Sequence, residues 1–141
     1  MTEAQSIVVS FLYEGLYEQF LRSHPLVRVI MYEIVNFCYK YNYSQPIVTH
    51  IERDMAKHIE IYREKAATTP SPHLDRPCRG IDIRTSQWTK EQADHIVRYI
   101  NSVFVDKDYP YPNALYHNVG RGDHLHIQCK RKAYEDRKWK F

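Results

Sequence analysis

The hydrophobic period of this 141-residue chain changes near residue 41, and that change limits the folds it can adopt. Apolar side chains recur at helical spacing from Pro25 to Tyr41, after Ser23 and with the proline in the first turn, which predicts a helix. The next apolar run, Ile47–Ile51, is short and β-branched and predicts a strand. A chain of this length that carries both periods is expected to fold as one α+β domain.

Three further segments have helical patterns. The segment Thr2–Leu21 keeps a looser version of the helical period, and Met55–Ala66 follows Asp54, a residue suited to capping a helix. Thr89 with Gln92 matches the capping-box pattern, and apolar residues at helical spacing follow it. Each of these segments is predicted to form one helix.

Three more strands complete the expected sheet. The strand Arg79–Thr85 alternates isoleucines with polar residues, and the strands Leu115–Val119 and Asp123–Cys129 flank a glycine-containing connection. Strands joined in this way and separated by helices predict a small, largely antiparallel sheet packed with helices. We expect helices in residues 1–43 and the sheet in residues 44–129.

Charge and hydropathy restrict the classes of partner. The charged fraction is 26%, and no run of about 18 apolar residues is present, so no membrane span is expected. The net charge is +3, but Lys130–Phe141 alone holds six basic and two acidic residues, which leaves about −1 for the rest. This predicts a basic C-terminal tail at 130–141. A nucleic-acid surface is not expected, because basic and aromatic residues do not interleave elsewhere.

The cysteines and the N-terminus bear on the cellular compartment. Three cysteines without CxxC spacing argue against a disulfide framework and favour a reducing compartment. The apolar run Ser6–Tyr13 follows no Lys or Arg and lacks a cleavage pattern, so no secretory signal is expected.

Two histidines alternate with apolar residues in the last predicted strand. Because side chains alternate along a strand, His124 and His126 share a face with Gln128. Leu125 and Ile127 point to the other side, toward the core. Two imidazoles on one strand face can both reach one metal ion, or one can bind it while the other acts on a substrate.

A second group of candidate ligands lies upstream. The segment Ala67–Pro77 carries three prolines in eleven residues, so it is predicted to be an irregular loop, and long loops are often functional. His73 lies in this loop, and Asp82 lies on a strand face opposite two isoleucines. Together with His126 they match the three protein ligands of a catalytic zinc ion, which leaves a fourth position for water.

The paired motifs of the D-Ala-D-Ala metallopeptidases resemble two segments of this chain, SPHLDRPCRGIDIRT and DHLHIQ. That family includes bacterial carboxypeptidases and phage endolysins with the hedgehog/DD-peptidase fold, and small phage members look most similar. The resemblance covers about Val48–Gln128 and implies zinc held by His73, Asp82 and His126. The interval from His73 to Asp82 is nine positions, two more than is usual in the family.

The resemblance also implies a reaction, the zinc-assisted hydrolysis of peptide bonds in bacterial peptidoglycan. Arg53, at the end of VTHIERD, would contact the substrate carbonyl. The general base is either Asp123, three positions before the last ligand, or His124. Strand parity favours His124, because Asp123 falls on the face opposite His126 unless the strand begins with a bulge.

Two other functions stay open from the sequence. A phage structural or assembly protein would keep the fold and the metal without catalysis, and its partners would be virion proteins. An oxygenase would use two histidines and a carboxylate to hold iron. The resemblance to phage members implies a location in the cytoplasm of a bacterial host or in a virion.

Overall fold

The described part of the chain, residues 9–117 and 123–130 of a computed structural model, folds around one five-stranded sheet. The strands are β1 (Ser10–Phe11), β2 (Ile47–His50), β3 (Gly80–Arg84), β4 (Ala114–His117) and β5 (His124–Gln128). Their spatial order is β1-β2-β3-β5-β4. The β1 and β2 strands run parallel, whereas the other three pairs are antiparallel. The fold is therefore mixed α/β, and its sheet is largely antiparallel, as the sequence predicts.

Four α-helices accompany the sheet in these residues. They are α1 (Leu16–Leu21), α2 (Pro25–Tyr41), α3 (Met55–Tyr62) and α4 (Lys90–Val103), and short 3₁₀ turns cover Arg63–Thr68 and Pro72–Leu74. The helix predicted over Pro25–Tyr41 is confirmed with the same bounds. The capping box of α4 is also confirmed, because the Thr89 hydroxyl accepts the Gln92 N–H and the Gln92 side chain accepts the Thr89 N–H, both at 3.1 Å.

The N-terminal helix predicted over Thr2–Leu21 is wrong in its middle part. Ser10–Phe11 form β1 at the edge of the sheet, and the Leu12 N–H donates to the Val48 carbonyl at 2.9 Å. Gly15 then adopts a φ of 98°, a conformation that favours glycine, and the helix begins only after it. Pairing with β2 satisfies backbone groups at the sheet edge, which outweighs a weak helical pattern. The N-terminal part of the predicted helix lies outside the described residues.

One other prediction is wrong at its C-terminal end. Asp54 caps α3 as expected, but the helix predicted to reach Ala66 ends at Tyr62 and continues as a 3₁₀ turn. The change occurs where Arg63 adopts a positive φ of 53°, which the α-helical pattern does not allow. The glycine-containing connection before β5 and the basic tail beyond Lys130 lie outside the described residues.

One face of the sheet forms the hydrophobic core. The side chains of β3 and β5 that are fully buried there are Ile81, Ile83, Leu125 and Ile127. Apolar residues of α2 and α4 belong to the same cluster, including Ile30, Ile34, Ile96 and Ile100. Because side chains alternate along a strand, the residues between these apolar positions point to the opposite face. The core therefore determines which face of the sheet carries Asp82, His124 and His126.

Truncation of the core side of β5 tests this two-faced arrangement. Ile127→Ala should lower the free energy of unfolding by about 2–5 kcal/mol, because it removes buried methyl groups and leaves a cavity. Val105→Ala is a control, since Val105 is 77% exposed, and it should change the free energy by less than about 0.5 kcal/mol. Urea unfolding followed by circular dichroism measures both. Equal effects would contradict the placement of the core.

Candidate metal centre

The register between β3 and β5 brings together polar residues that are distant in sequence. Asp82 is directly opposite His126, and Arg84 is directly opposite His124. The residues of each antiparallel pair share one face of the sheet, so all four side chains are on the side away from the core. The HxH motif and the predicted aspartate therefore meet across one strand pair.

A short turn places His73 beside this pair of strands. The turn Pro72–Leu74 begins after Ser71, whose hydroxyl accepts the N–H of His73 at 3.2 Å. The Arg53 N–H donates to the His73 carbonyl at 3.0 Å, which ties the loop to the segment that follows β2. These two backbone contacts position the histidine although it lies outside the regular elements of the sheet.

Close packing at Gly80 lets the loop approach β5. A Cβ atom at this position would lie 3.0 Å from the Pro72 side chain and 3.2 Å from Cε1 of His126. A larger residue at position 80 would therefore push the Pro72 side chain and the His126 imidazole away from β3. A salt bridge joins Asp75 to Arg79 at 2.5 Å, between the turn and β3.

Three potential ligand atoms converge in this region. His73 Nε2 lies 3.2 Å from Asp82 Oδ1, and His126 Nδ1 lies 2.8 Å from the same oxygen. One ligand atom from each residue lies within 4.8 Å of the other two. The three residues are 3%, 6% and 6% exposed. The residues predicted as ligands thus form one buried group that could hold a metal ion.

Hydrogen bonds around the two rings indicate which nitrogen atoms would face a bound metal ion. His73 Nδ1 lies 2.6 Å from the carbonyl oxygen of Ile51, which can only accept, so Nδ1 carries a proton and only Nε2 is left to bind a metal. His126 Nε2 lies 3.0 Å from Oε1 of Gln128, which leaves Nδ1 to face Asp82. Once both rings are in the neutral form that metal binding requires, these contacts aim two lone pairs and a carboxylate oxygen at one point, where a bound cation would satisfy all three.

Burial opposes charge on each of these residues, yet Asp82 and His73 stay charged because each stabilises the other. Desolvation lowers the pKa of His73, but attraction to the Asp82 carboxylate outweighs it and raises that pKa to about 10. Desolvation likewise opposes ionisation of Asp82, but the His73 charge and hydrogen bonds from both rings hold its pKa well below the usual range. For His126 desolvation dominates and the pKa is lowered. Without a metal, the Asp82 carboxylate is therefore balanced by the His73 imidazolium, and a metal ion that binds here would take the place of the His73 proton.

An open cleft of about 250 Å³ reaches this group. His73 and Asp82 line the cleft, as do the three residues predicted to act on a substrate, His124, Arg53 and Asp123. His124 Nε2 lies 3.6 Å from Asp82 Oδ1, and its side chain is 15% exposed. Asp123 is exposed on the cleft wall. The three predicted catalytic residues thus share one cleft with two of the predicted ligands, while His126 contacts Asp82 and does not itself line the cleft.

Contacts that the sequence does not reveal hold Arg53 on the wall of the cleft. Its Nη1 donates to the Ser71 hydroxyl at 3.1 Å and to His58 Nδ1 at 3.4 Å. His58 is fully buried, and its Nε2–H donates to the Thr69 carbonyl at 2.8 Å. His58 of α3 therefore forms hydrogen bonds both to Arg53 and to the loop that carries His73. The sequence gives no sign of this role, because the partners of the ring include main-chain carbonyls.

The cysteines near the sheet are engaged in other ways. Cys129 is fully buried, as its strand parity predicts, and burial raises the pKa of its thiol to about 12. The Cys78 thiol donates to the carbonyls of Ile51 and Gly80 at 3.2 and 3.3 Å. Cysteine binds metal as the thiolate. These contacts therefore favour imidazole and carboxylate as the ligands.

Comparisons with known proteins leave the site geometry as the main evidence on function. No protein-family model, curated protein or solved structure matches this chain. Across residues 9–117 and 123–130, no helix is long and apolar enough to cross a membrane. The residues around the cleft therefore carry the evidence on function.

Removal of single ligands tests the metal centre. The wild-type protein should bind one zinc ion per chain, and Asp82→Ala and His126→Ala should each lose stoichiometric zinc, because two ligands hold the ion far more weakly than three. Elemental analysis after dialysis measures the bound metal. His95→Ala is the matched control, since its imidazole instead bonds to the Tyr43 hydroxyl at 2.7 Å, and it should keep the metal. Retention of zinc by both ligand variants would contradict the assignment.

Proposed function

We propose that this protein is a zinc-dependent peptidase whose metal is held by His73, Asp82 and His126. The observation that carries the proposal is the convergence of two imidazole nitrogens and one buried carboxylate oxygen beside an open cleft. Zinc hydrolases use three protein ligands of these types and keep one position for water or substrate. Calcium and magnesium prefer oxygen ligands alone, so the two imidazoles favour a transition metal.

The motif resemblance supports the same proposal. A loop, the strand that follows it and a later strand supply His73, Asp82 and His126 in turn, which is the order of ligands in the D-Ala-D-Ala metallopeptidases. The ligands lie on the face of the sheet opposite the core. This arrangement is compatible with the hedgehog/DD-peptidase fold, which we propose for the domain.

The chemistry of the proposed reaction divides between the ion and two side chains. Zinc bound at this point would lower the pKa of a coordinated water toward about 7 and polarise the scissile carbonyl. His124 lines the cleft beside Asp82, where its imidazole would take a proton from the attacking water and pass it to the leaving amine. Asp123 precedes β5 and is exposed, so we assign the proton transfer to His124.

Arg53 would stabilise the negative charge that develops on the carbonyl oxygen. Its guanidinium lines the cleft and is held by Ser71 and His58. A donor that is already oriented does not have to reorganise as charge develops, and such preorganised groups are among the largest contributors to catalysis. Arg53, held in this orientation, is therefore suited to stabilise the transition state.

Peptides of bacterial peptidoglycan are the substrates that we propose. The cleft presents basic side chains from Lys57 and Arg84 in addition to Arg53, carboxylates from Glu52 and Asp123, and apolar surface from Leu12 and Ile61. Basic groups of this kind bind carboxylates through charge-assisted hydrogen bonds. The two arginines can thus bind carboxylate groups of a peptide, and the motif resemblance is what favours a cell-wall peptide among such substrates.

Substitutions at adjacent positions test the catalytic assignment. With zinc, the wild-type protein should hydrolyse muropeptides, and His124→Ala should lower kcat by about 10²–10⁴-fold while the zinc stays bound. Asp123→Asn tests the alternative base, and we expect its kcat to remain close to that of the wild type. Chromatography of the released peptides gives the rates. The opposite result, with Asp123→Asn inactive and His124→Ala active, would transfer the role to Asp123.

Other outcomes would point to the alternative functions. Stoichiometric zinc without turnover of any muropeptide would favour a structural or assembly protein of a phage. Activity restored by Fe²⁺ and not by Zn²⁺ would favour an oxygenase. Turnover that survives removal of zinc by a chelator would contradict the proposed mechanism.

A further inference from the structure

We infer that Gln128 is a positioning residue that makes Nδ1, and not Nε2, the metal-binding nitrogen of His126. The inference rests on the metal centre of the proposed function and concerns a side chain that the proposed reaction does not use. Gln128 lies two positions after His126 on the same face of β5. Its amide contacts the ring on the side away from Asp82, where no ligand is expected.

The orientation of the Gln128 amide follows from its second contact. Its Nε2 lies 2.9 Å from the carbonyl oxygen of Pro112, which can only accept a hydrogen bond. The nitrogen end of the amide must therefore face Pro112, and the oxygen end must face His126. With Oε1 at 3.0 Å from the ring, His126 Nε2 is the donor and carries a proton.

The Pro112 carbonyl is itself anchored to the rest of the fold. The next residue, Asn113, is buried, and its side chain donates to the Gln128 carbonyl at 2.9 Å. The Asn113 N–H donates to the side-chain oxygen of Asn101 on α4 at 3.0 Å. The Gln128 N–H donates back to the Asn113 carbonyl at 2.9 Å. The acceptor that orients the amide is thus held by β5 and α4 together.

A competing interaction with Asp82 would favour a proton on His126 Nδ1, the nitrogen that is proposed to bind the metal. The Asp82 carboxylate lies 2.8 Å from His126 Nδ1 and would by itself favour a proton on that atom. A neutral imidazole carries only one ring proton. By accepting that proton at Nε2, Gln128 leaves the Nδ1 lone pair available at the point where the other ligand atoms meet. Removing the Gln128 acceptor would make metal binding compete with an Nδ1–H bond to Asp82.

Zinc affinity of two Gln128 variants tests the inference. Gln128→Met keeps the approximate length of the side chain but removes the acceptor, and it should weaken zinc binding about 10–100-fold. Gln128→Glu keeps an acceptor oxygen and should restore affinity to within about tenfold of the wild type. Gln45→Met is the matched control, because Gln45 is exposed and bonds to Ser10, and its affinity should equal that of the wild type. Competition with a chromogenic chelator gives each dissociation constant.

A second readout uses the wild-type protein and needs no substitution. In the zinc-loaded, ¹⁵N-labelled protein, long-range ¹H–¹⁵N spectra should show His126 with a proton on Nε2 and the metal on Nδ1. A proton on Nδ1 would overturn the inference, as would equal zinc affinity of Gln128→Met and the wild type. If the wild-type protein binds no zinc, the proposed metal centre fails and the inference fails with it. Zinc binding that is indifferent to Gln128 would overturn the inference alone.

Discussion

The cross-strand pair of Asp82 and His126 is the interaction on which the rest of the site depends. It exists because β3 and β5 are antiparallel in a register that places the two residues opposite each other. A shift of β5 by one residue relative to β3 would send His126 to the core face, away from Asp82, and would expose Leu125 and Ile127. The hydrophobic core and the candidate metal centre therefore depend on the same strand alignment.

Burial of a carboxylate needs compensation, and the surroundings of Asp82 supply it. An unpaired charge in a protein interior costs several kcal/mol, so a buried carboxylate persists only with donors or a cation beside it. Here three imidazoles, those of His73, His124 and His126, lie within 3.6 Å of one carboxylate oxygen. Two of those rings also form a hydrogen bond on the side away from Asp82. His73 bonds to the Ile51 carbonyl, and His126 bonds to the Gln128 side-chain amide. The outer contacts thus orient the same rings that balance the charge.

The alternation of side chains along the strands allowed much of this site to be predicted from the sequence. Capping patterns located the starts of two helices. The alternation in β3 and β5 placed Asp82 and His126 on the face away from the core, and the proline-rich segment indicated a loop around His73. The strand Ser10–Phe11 was not predicted, because its pairing with β2 depends on a tertiary neighbour and not on its own pattern. The role of His58 was also missed, since main-chain carbonyls are among its partners. The parity of Gln128 was visible, but the orientation of its amide depends on a carbonyl from another segment.

The identity and ligands of the bound metal are the most direct test of the central claim that His73, Asp82 and His126 form a zinc site. X-ray absorption at the zinc edge of the loaded protein measures them without any substitution. We expect two imidazole nitrogens and oxygen ligands at about 2.0–2.2 Å, in a four-coordinate shell that leaves room for water. A sulfur ligand at about 2.3 Å, or a shell without two imidazoles, would contradict the site.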